Sequence, residues 1–238
     1  DRLMNLSGEL VLGRNQLLQA QGAGNEKGVG VASARLNQVV SEMQEAIMQT
    51  RMQPVGSLFQ RFPRVVRDLA GKLRKRCRLE LEGRGVDLDR SILEALSDPL
   101  THLVRNAVDH GMETPDERVA AKKDPEGVVH LVAAQQGGNV RITITDNGRG
   151  IDPARLRRKA VEKGVITGAE AQVMGDREAV YLIFAPGFST AEKVTDVSGR
   201  GVGMDVVRSN IERRGGHVEV QSTLGRGTTI AITIPLTL

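Results

Sequence analysis

The first 53 residues carry two apolar stripes with the spacing of a coiled coil. In the first stripe, apolar or small residues recur at steps of three and four positions, at Leu3, Leu6, Leu10, Gly13 and Leu17. The second stripe repeats these steps at Leu36, Val40, Met43 and Ile47. Such steps place one apolar stripe along each of two helices. The stretch between them is too rich in glycine to continue a helix, with Gly22, Gly24, Gly28 and Gly30. The spacing therefore predicts an antiparallel helical hairpin that ends near Pro54.

Two helices of about 20 residues cannot enclose a core, because each helix buries only one stripe against its neighbour. A second hairpin would complete a four-helix bundle, so we expect residues 1–53 to form a homodimerisation domain. Packing of the hairpin against the C-terminal part of its own chain is the alternative, and it stays open.

From residue 54 onward, helical and strand patterns alternate, which predicts a second domain over residues 54–238. Helices are predicted at Ser57–Arg76, Ser91–His110, Pro153–Lys163, Asp176–Phe184 and Met204–Arg213. Strands are predicted at Arg78–Glu82, Val128–Ala134, Val140–Thr145, His217–Ser222 and Thr228–Thr233. Parallel and hairpin connections both occur, so the fold class is α+β, an α/β sandwich with helices on one face of a mixed sheet.

Composition excludes several classes of protein. No apolar run approaches the roughly 18 residues of a membrane span, so we expect no membrane insertion. The single cysteine, Cys77, excludes a disulfide framework and fits a reducing, cytoplasmic location. With a net charge of +4 and 2% aromatic residues, the chain offers little for bases to stack on, and we expect no nucleic-acid partner. Because it begins with Asp1, we expect it to be a fragment of a longer protein.

A basic run spans Arg61–Arg78, with eight basic residues and one acid, Asp68. At helical spacing such a run is typical of a solvated face, and docking of an acidic partner is the alternative.

Four polar residues share one face of the predicted helix Ser91–His110. His102, Asn106, Asp109 and His110 follow one another at helix-neighbour spacing, apart from the apolar stripe of Leu100, Leu103, Val104 and Ala107. An ordinary surface face is one explanation. The other is a binding site, because a carboxamide oxygen is a suitable ligand for Mg²⁺ that already carries phosphates.

Three glycine-containing motifs follow this helix. Asp146-Asn-Gly148-Arg-Gly150 comes directly after a predicted strand, where an Asp can accept a hydrogen bond from an exocyclic amine and glycines let a flat ring approach the backbone. Ser198-Gly-Arg-Gly201-Val-Gly203-Met-Asp205 precedes a helix, the position of an anion site. Gly225-Arg-Gly227-Thr228 opens the last strand. The P-loop and the dinucleotide-binding motif are both missing from the sequence.

The order of these motifs resembles the ATPase superfamily of gyrase, Hsp90, histidine kinases and MutL. More narrowly, the segments 102–111, 184–190 and 197–206 resemble the chemotaxis histidine kinases of the CheA family, as does 62–70. The resemblance covers essentially the whole chain. It implies a dimerisation domain followed by an ATP-binding kinase domain.

The resemblance also implies roles for particular residues. ATP would be the substrate, with Mg²⁺ held by Asn106, and Asp146 would read the adenine amine with Thr228 nearby. His102 would position or activate the transferring phosphoryl group, while Asp109 and His110 would contact the nucleotide. Residues 152–200 would form a lid. Further nucleotide contacts are implied at Gly148, Gly150, Arg155, Ser189, Gly201, Val202, Gly203 and Met204.

Phosphoryl transfer to histidine needs an acceptor imidazole in line with the γ-phosphate. Residues 1–101 contain no histidine, so the acceptor must come from elsewhere. The resemblance implies a separate histidine phosphotransfer domain, together with response regulators, a coupling adaptor and chemoreceptors as partners of the longer protein.

Two other functions stay open. The first is a nucleotide-driven hydrolase or clamp of the gyrase, Hsp90 and MutL type. Those proteins have a Glu one helical turn before the Asn, where this chain has His102. A non-catalytic scaffold is the other, although Asn106, Asp146 and the glycines are all present.

Overall fold

The computed structural model describes residues 2–188 and 203–236. They divide into two compact units, one ending at Met52 and the other beginning at Gln53.

The first unit is a hairpin of two helices, α1 (Arg2–Gly22) and α2 (Glu26–Arg51). The connection is much shorter than predicted, because Gly28 and Gly30 lie inside α2. The Asn25 side chain accepts a hydrogen bond from the Gly28 amide at 3.0 Å and so caps the helix despite its glycines. A Cβ atom on Gly28 would lie 3.1 Å from the Cβ of Ala20, so glycine here permits close packing of the helices.

The prediction that one stripe of α2 packs against α1 is corrected, because the predicted residues lie on two faces of the helix. Residues at steps of four and three face α1, namely Ala32, Leu36, Val39, Met43 and Ala46. Val40 and Ile47 instead lie on the outside, with 42% and 45% of their surface exposed. On α1, the exposed residues Met4, Val11 and Leu18 repeat at the same interval of seven positions. The hairpin therefore carries a second apolar stripe that it does not bury itself.

The second unit is built on a mixed sheet of five strands in the order β2-β4-β5-β7-β6. These strands are β2 (Cys77–Glu82), β4 (Gly127–Gln136), β5 (Asn139–Asp146), β6 (His217–Thr223) and β7 (Gly227–Pro235). β2 pairs with β4 in parallel, and the other three pairs are antiparallel. All five strands were predicted, and the mixed α+β class is confirmed. Two strands that the sequence analysis missed, β1 (Met52–Pro54) and β3 (Asp87–Asp89), pair separately.

Eight helices of this unit lie in the described ranges: α3 (Gly56–Phe59), α4 (Phe62–Lys72), α5 (Arg90–Asn106), α6 (Pro115–Ala120), α7 (Pro153–Glu162), α8 (Gly168–Val173), α9 (Asp176–Tyr181) and α10 (Met204–Glu212). The single helix predicted at Ser57–Arg76 is wrong. It is two helices, since Pro63 can begin a helix but not continue one. The helix predicted to reach His110 ends at Asn106 and continues as a π-helical turn over Ala107–Gly111.

The sheet and its helices share one hydrophobic core. Alternate residues of β4 and β5 are buried, as in Val129, Leu131 and Ile142, and α5 adds Ile92, Leu96 and Leu100. None of the described helices has the length and hydropathy that crossing a membrane requires.

The first part of the predicted lid is packed structure. A second hydrophobic cluster buries Leu156, Ala160, Ala179, Leu182 and Phe188 and packs α7 against α9. Val180 of α9 belongs to the main core, so this part of the chain is joined to the sheet unit. Residues 189–200 of the predicted lid lie outside the described residues.

Candidate functional site

The end of α5 presents the polar face that the sequence predicted. Leu100, Leu103 and Val104 are buried in the core and fix the helix, while His102 and Asn106 are half-buried beside the site. Asn106 is the last residue of α5, and the π-helical turn starts directly after it. Such turns are frequent at functional sites. The Lys75 amine stabilises this one by donating hydrogen bonds to the carbonyls of Val108 at 3.0 Å and Asp109 at 2.5 Å.

Asn106 contacts the start of α10. Its amide nitrogen donates to the sulfur of Met204 at 3.4 Å, which leaves the carboxamide oxygen as the atom able to bind a cation. Gly203 is the N-cap of α10 and Met204 its first residue, so both sit beside the predicted phosphate region. The predicted Ser189, Gly201 and Val202 lie outside the described residues.

His102 is held in its neutral form. Burial lowers the pKa of this imidazole, the neighbouring His110 and Arg105 lower it further, and Asp205 acts in the opposite direction. Asp109 and His110 lie in the π-helical turn with exposed side chains, and 3.9 Å separates Asp109 Oδ2 from His110 Nε2. The structure therefore brings His102, Asp109 and His110 close together at the end of α5.

Asp146 is a buried carboxylate at the end of β5, with 6% of its surface exposed. The amide of Gly148 donates to its Oδ1 at 3.0 Å, and Thr228 lies opposite it on β7. Burial raises the pKa of Asp146 to about 6, although hydrogen bonds from the backbone of Gly148 and Thr228 favour the charged form. Because neutral pH lies above this pKa, the ionised carboxylate prevails there and acts as a hydrogen-bond acceptor.

The glycines around Asp146 serve close contacts between backbones. A Cβ atom on Gly148 would lie 2.1 Å from the carbonyl oxygen of Gly111, and one on Gly150 would lie 2.2 Å from that of Thr223. Next to Gly148, the amide of Arg149 donates to the Gly111 carbonyl at 2.8 Å. The missing Cβ of Gly148 thus makes room for the π-helical turn, and the approach of a flat ring to this backbone stays a prediction. The same turn contacts the Asp146 loop at its end and follows Asn106 at its start.

Arg155 is not brought into this arrangement. It lies on the exposed first turn of α7, where its backbone amide donates to the Asp152 carboxylate at 3.2 Å. In the described ranges, no hydrogen bond or ion pair joins its guanidinium to Asn106 or Asp146.

The sequence analysis missed three charged residues beneath the Asp146 loop. Arg118 and Lys123 both pair with the buried Glu113, at 3.0 Å and 2.7 Å, and both reach backbone carbonyls of the loop. The available signal was the capping box of Thr114 and Glu117 with Pro115 in the first turn, which starts α6 and places Arg118.

The donor set fits a magnesium ion that is bound mainly by phosphates. Within residues 2–188 and 203–236, no group of three His, Cys, Asp or Glu could hold a metal by itself. Mg²⁺ keeps several waters and often takes only one or two protein oxygens beside substrate phosphates. The Asn106 carboxamide oxygen is a donor of the chemical type that such a site uses, and its binding of Mg²⁺ stays a prediction.

Comparison with known proteins places this geometry in a family. The model of the "Histidine kinase-, DNA gyrase B-, and HSP90-like ATPase" matches residues 95–238, which include Asn106, Asp146 and Thr228. The chain belongs to this ATPase family. The model of the "Signal transducing histidine kinase, homodimeric domain" matches residues 1–50, the helical hairpin.

Curated relatives agree over the whole chain. It is 50% identical to the sensor histidine kinase CheAY of Helicobacter pylori and 50% identical to the chemotaxis protein CheA of Salmonella typhimurium. It is 42% identical to the chemotaxis protein CheA of Bacillus subtilis. Each match covers 100% of this chain and 31%, 36% and 35% of the relative, respectively, so the chain spans about a third of their length. The predicted resemblance to chemotaxis histidine kinases is confirmed.

Proposed function

We propose that this chain is the dimerising, ATP-binding core of a chemotaxis histidine kinase. It would transfer the γ-phosphoryl group of ATP to a histidine on a separate phosphotransfer domain. The main support for the proposal is that one segment of the chain contacts both the predicted phosphate region and the predicted adenine region. The segment from Asn106 to Gly111 contacts Met204 at its start, and the loop of the buried carboxylate Asp146 at its end.

In this proposal the two ends of the nucleotide meet different residues. The ionised Asp146 accepts a hydrogen bond from the adenine amino group, with Thr228 beside it. Asn106 would hold Mg²⁺ through its carboxamide oxygen. When bound, Mg²⁺ neutralises charge on the phosphates during transfer.

The transfer itself needs an imidazole from outside this chain's first 101 residues, which contain no histidine. A nitrogen of that imidazole forms a bond to the γ-phosphorus, the bond to the β,γ-bridging oxygen breaks, and ADP leaves. His102, neutral at pH 7, would orient the γ-phosphoryl group by hydrogen bonding. Hydrolysis of ATP by water should compete poorly with this transfer, because His102 stands where related hydrolases have the Glu that activates water.

The partners proposed for the whole protein follow from its relatives. Two relatives are named chemotaxis proteins, and one is named a sensor histidine kinase. We propose a homodimer through the hairpin, a histidine phosphotransfer domain, response regulators, a coupling adaptor and chemoreceptors, all in the cytoplasm.

Calorimetric titration with a non-hydrolysable ATP analogue tests the nucleotide site. The unaltered chain should bind the analogue, and more tightly with Mg²⁺ than without it. Asn106→Ala removes the proposed ligand oxygen, so it should reduce the Mg²⁺-dependent part of the affinity by tenfold or more while leaving adenosine binding nearly unchanged. Equal losses for adenosine and the analogue would mean general damage to the fold, and no binding by the unaltered chain would favour the scaffold.

A further inference from the structure

A buried cation and a half-buried one lie beneath the loop that carries Asp146. The side chains of Arg118 and Glu113 are 1% and 9% exposed, and that of Lys123 is 17% exposed. One carboxylate thus faces two cations, so the cluster carries a net positive charge. Burial opposes the ionisation of Glu113, but hydrogen bonding to Lys123 and the charges of both cations hold its pKa below the ordinary value.

The cations turn their remaining donors toward the loop. The Lys123 amine donates to the carbonyl of Gly148 at 2.6 Å and to that of Asn147 at 3.3 Å. Arg118 donates to the Asn147 carbonyl at 3.2 Å and to the Asp124 carbonyl at 2.6 Å. A buried ion cluster of this kind is weak evidence for added stability, because desolvation offsets most of the attraction. Its contacts point to orientation of the loop instead.

One peptide unit links the cluster to Asp146. The carbonyl of Asn147 and the amide of Gly148 belong to the same planar trans peptide, in which C=O and N–H point in opposite directions. Both cations hold the Asn147 carbonyl, so the Gly148 amide is directed the other way, to Asp146 Oδ1 at 3.0 Å.

We propose that Lys123 and Arg118 are positioning residues that orient the Asn147–Gly148 peptide and so hold the Asp146 carboxylate for the amino group of adenine. This rests on the proposed function. Lys123 and Arg118 would thereby give the site its preference for adenine over purines that lack the amino group.

The charges around Asp146 agree with this role. Lys123 favours its ionised form and Glu113 disfavours it. Among the described residues, Cys77 on β2 also lies close enough to interact with Asp146; burial raises its pKa to about 11, so the thiol stays neutral. Removing Lys123 leaves Glu113 less neutralised and loosens the Gly148 amide, and both changes favour a protonated Asp146. The protonated carboxyl loses acceptor capacity for an amine.

The test compares ADP with inosine diphosphate, which carries an oxygen where adenine carries the amino group. Binding of each is measured by calorimetry between pH 5 and pH 8 for the unaltered chain, Lys123→Met and Lys123→Arg. Lys122→Met is the matched control, because Lys122 is exposed and loses the same charge. Thermal melting without nucleotide checks that each variant is folded.

The proposal predicts that Lys123→Met loses about tenfold in ADP affinity at pH 7 with little change for inosine diphosphate. The decline of ADP affinity on acidification should also begin at a higher pH. Lys123→Arg should recover most of the affinity, and Lys122→Met should match the unaltered chain.

Equal losses for ADP and inosine diphosphate in Lys123→Met, with an unshifted pH profile, would overturn the positioning role. If Lys123→Met does not fold, Lys123→Gln takes its place, because it also removes the charge that faces Glu113 and Gly148. A loss for ADP alone then supports the positioning role, and equal losses for ADP and inosine diphosphate overturn it. Failure of the unaltered chain to bind either nucleotide would overturn the proposed function itself, a result distinct from these.

Discussion

At the scale of single residues, Asp146 shows how the site trades stability for recognition. Its pKa is about 6 when folded against an ordinary 3.8, so the folded chain holds a proton that the unfolded chain releases between these values. The free energy of unfolding therefore falls as pH rises from about 4 through 6. A shift of this size costs the folded state about 1–3 kcal/mol at pH 8.

Asp146→Asn should remove that cost, because an amide keeps the acceptor for Gly148 without a buried charge. Without nucleotide, we expect the variant to be about 1–3 kcal/mol more stable than the unaltered chain at pH 8, with the difference shrinking toward pH 4. Urea denaturation at both pH values measures it. ADP affinity should fall by tenfold or more, since the amide turns a donor or a weaker acceptor to adenine. A variant destabilised equally at both pH values would contradict this assignment of the cost.

Some residues of the site could be predicted from sequence and others could not. Asn106 and Asp146 stood out because a helix face and a strand end give a side chain a definite direction. Glu113, Arg118 and Lys123 did not, because their pairing depends on where the chain after α6 meets the Asp146 loop. Gly148 was predicted to belong to the site. The reason that it must be glycine was not predictable, because the Gly111 carbonyl that a Cβ would strike is distant in sequence.

At the scale of elements, the junction between the π-helical turn and the Asp146 loop is the sensitive point. Gly148→Ala would place a methyl group 2.1 Å from the Gly111 carbonyl, so the two segments must separate. We expect a loss of about 2 kcal/mol or more in the free energy of unfolding and a marked loss of ADP affinity. Gly168→Ala in α8 is the control, because nothing lies within 4 Å of its added Cβ. Thermal melting that shows equal stability for the two variants would argue against this junction.

Strands were predicted more accurately than helix ends. The alternation of apolar and polar residues in β4 and β5 predicted these strands correctly, because one face of the sheet is buried and the other is half-exposed. The errors in helices have local causes. Asn25 caps α2 before two glycines, Pro63 separates α3 from α4, and the carbonyls of the π-helical turn are satisfied by Lys75.

At the scale of the whole molecule, we predict that the exposed apolar stripe on the hairpin is the surface that a second copy covers. Val40→Glu should shift the chain toward monomer, because a charge in a bundle core lacks a partner. The hairpin of one chain does not bury this side chain, so the variant should stay helical. Ala34→Glu adds the same charge at an exposed position on another face of α2, six residues before Val40, and should remain dimeric. Sedimentation velocity separates the two states, and an unchanged profile for Val40→Glu would exclude this stripe as the interface.

The fold class, a helical N-terminus followed by a mixed sheet with helices, was predictable from sequence because each part has its own hydrophobic period. The division of the α2 stripe between two faces was not, since Val40 and Val39 are equally apolar and only packing against α1 separates them.

The most direct test of the account is phosphoryl transfer in trans. The chain is mixed with Mg²⁺, ATP labelled at the γ-phosphate and a separately prepared histidine phosphotransfer domain, with Asn106→Ala as the inactive control. The account predicts label on an imidazole of that domain, stable to base and released by acid, and little free phosphate. Rapid release of labelled phosphate with no labelled histidine would contradict it and identify a nucleotide hydrolase.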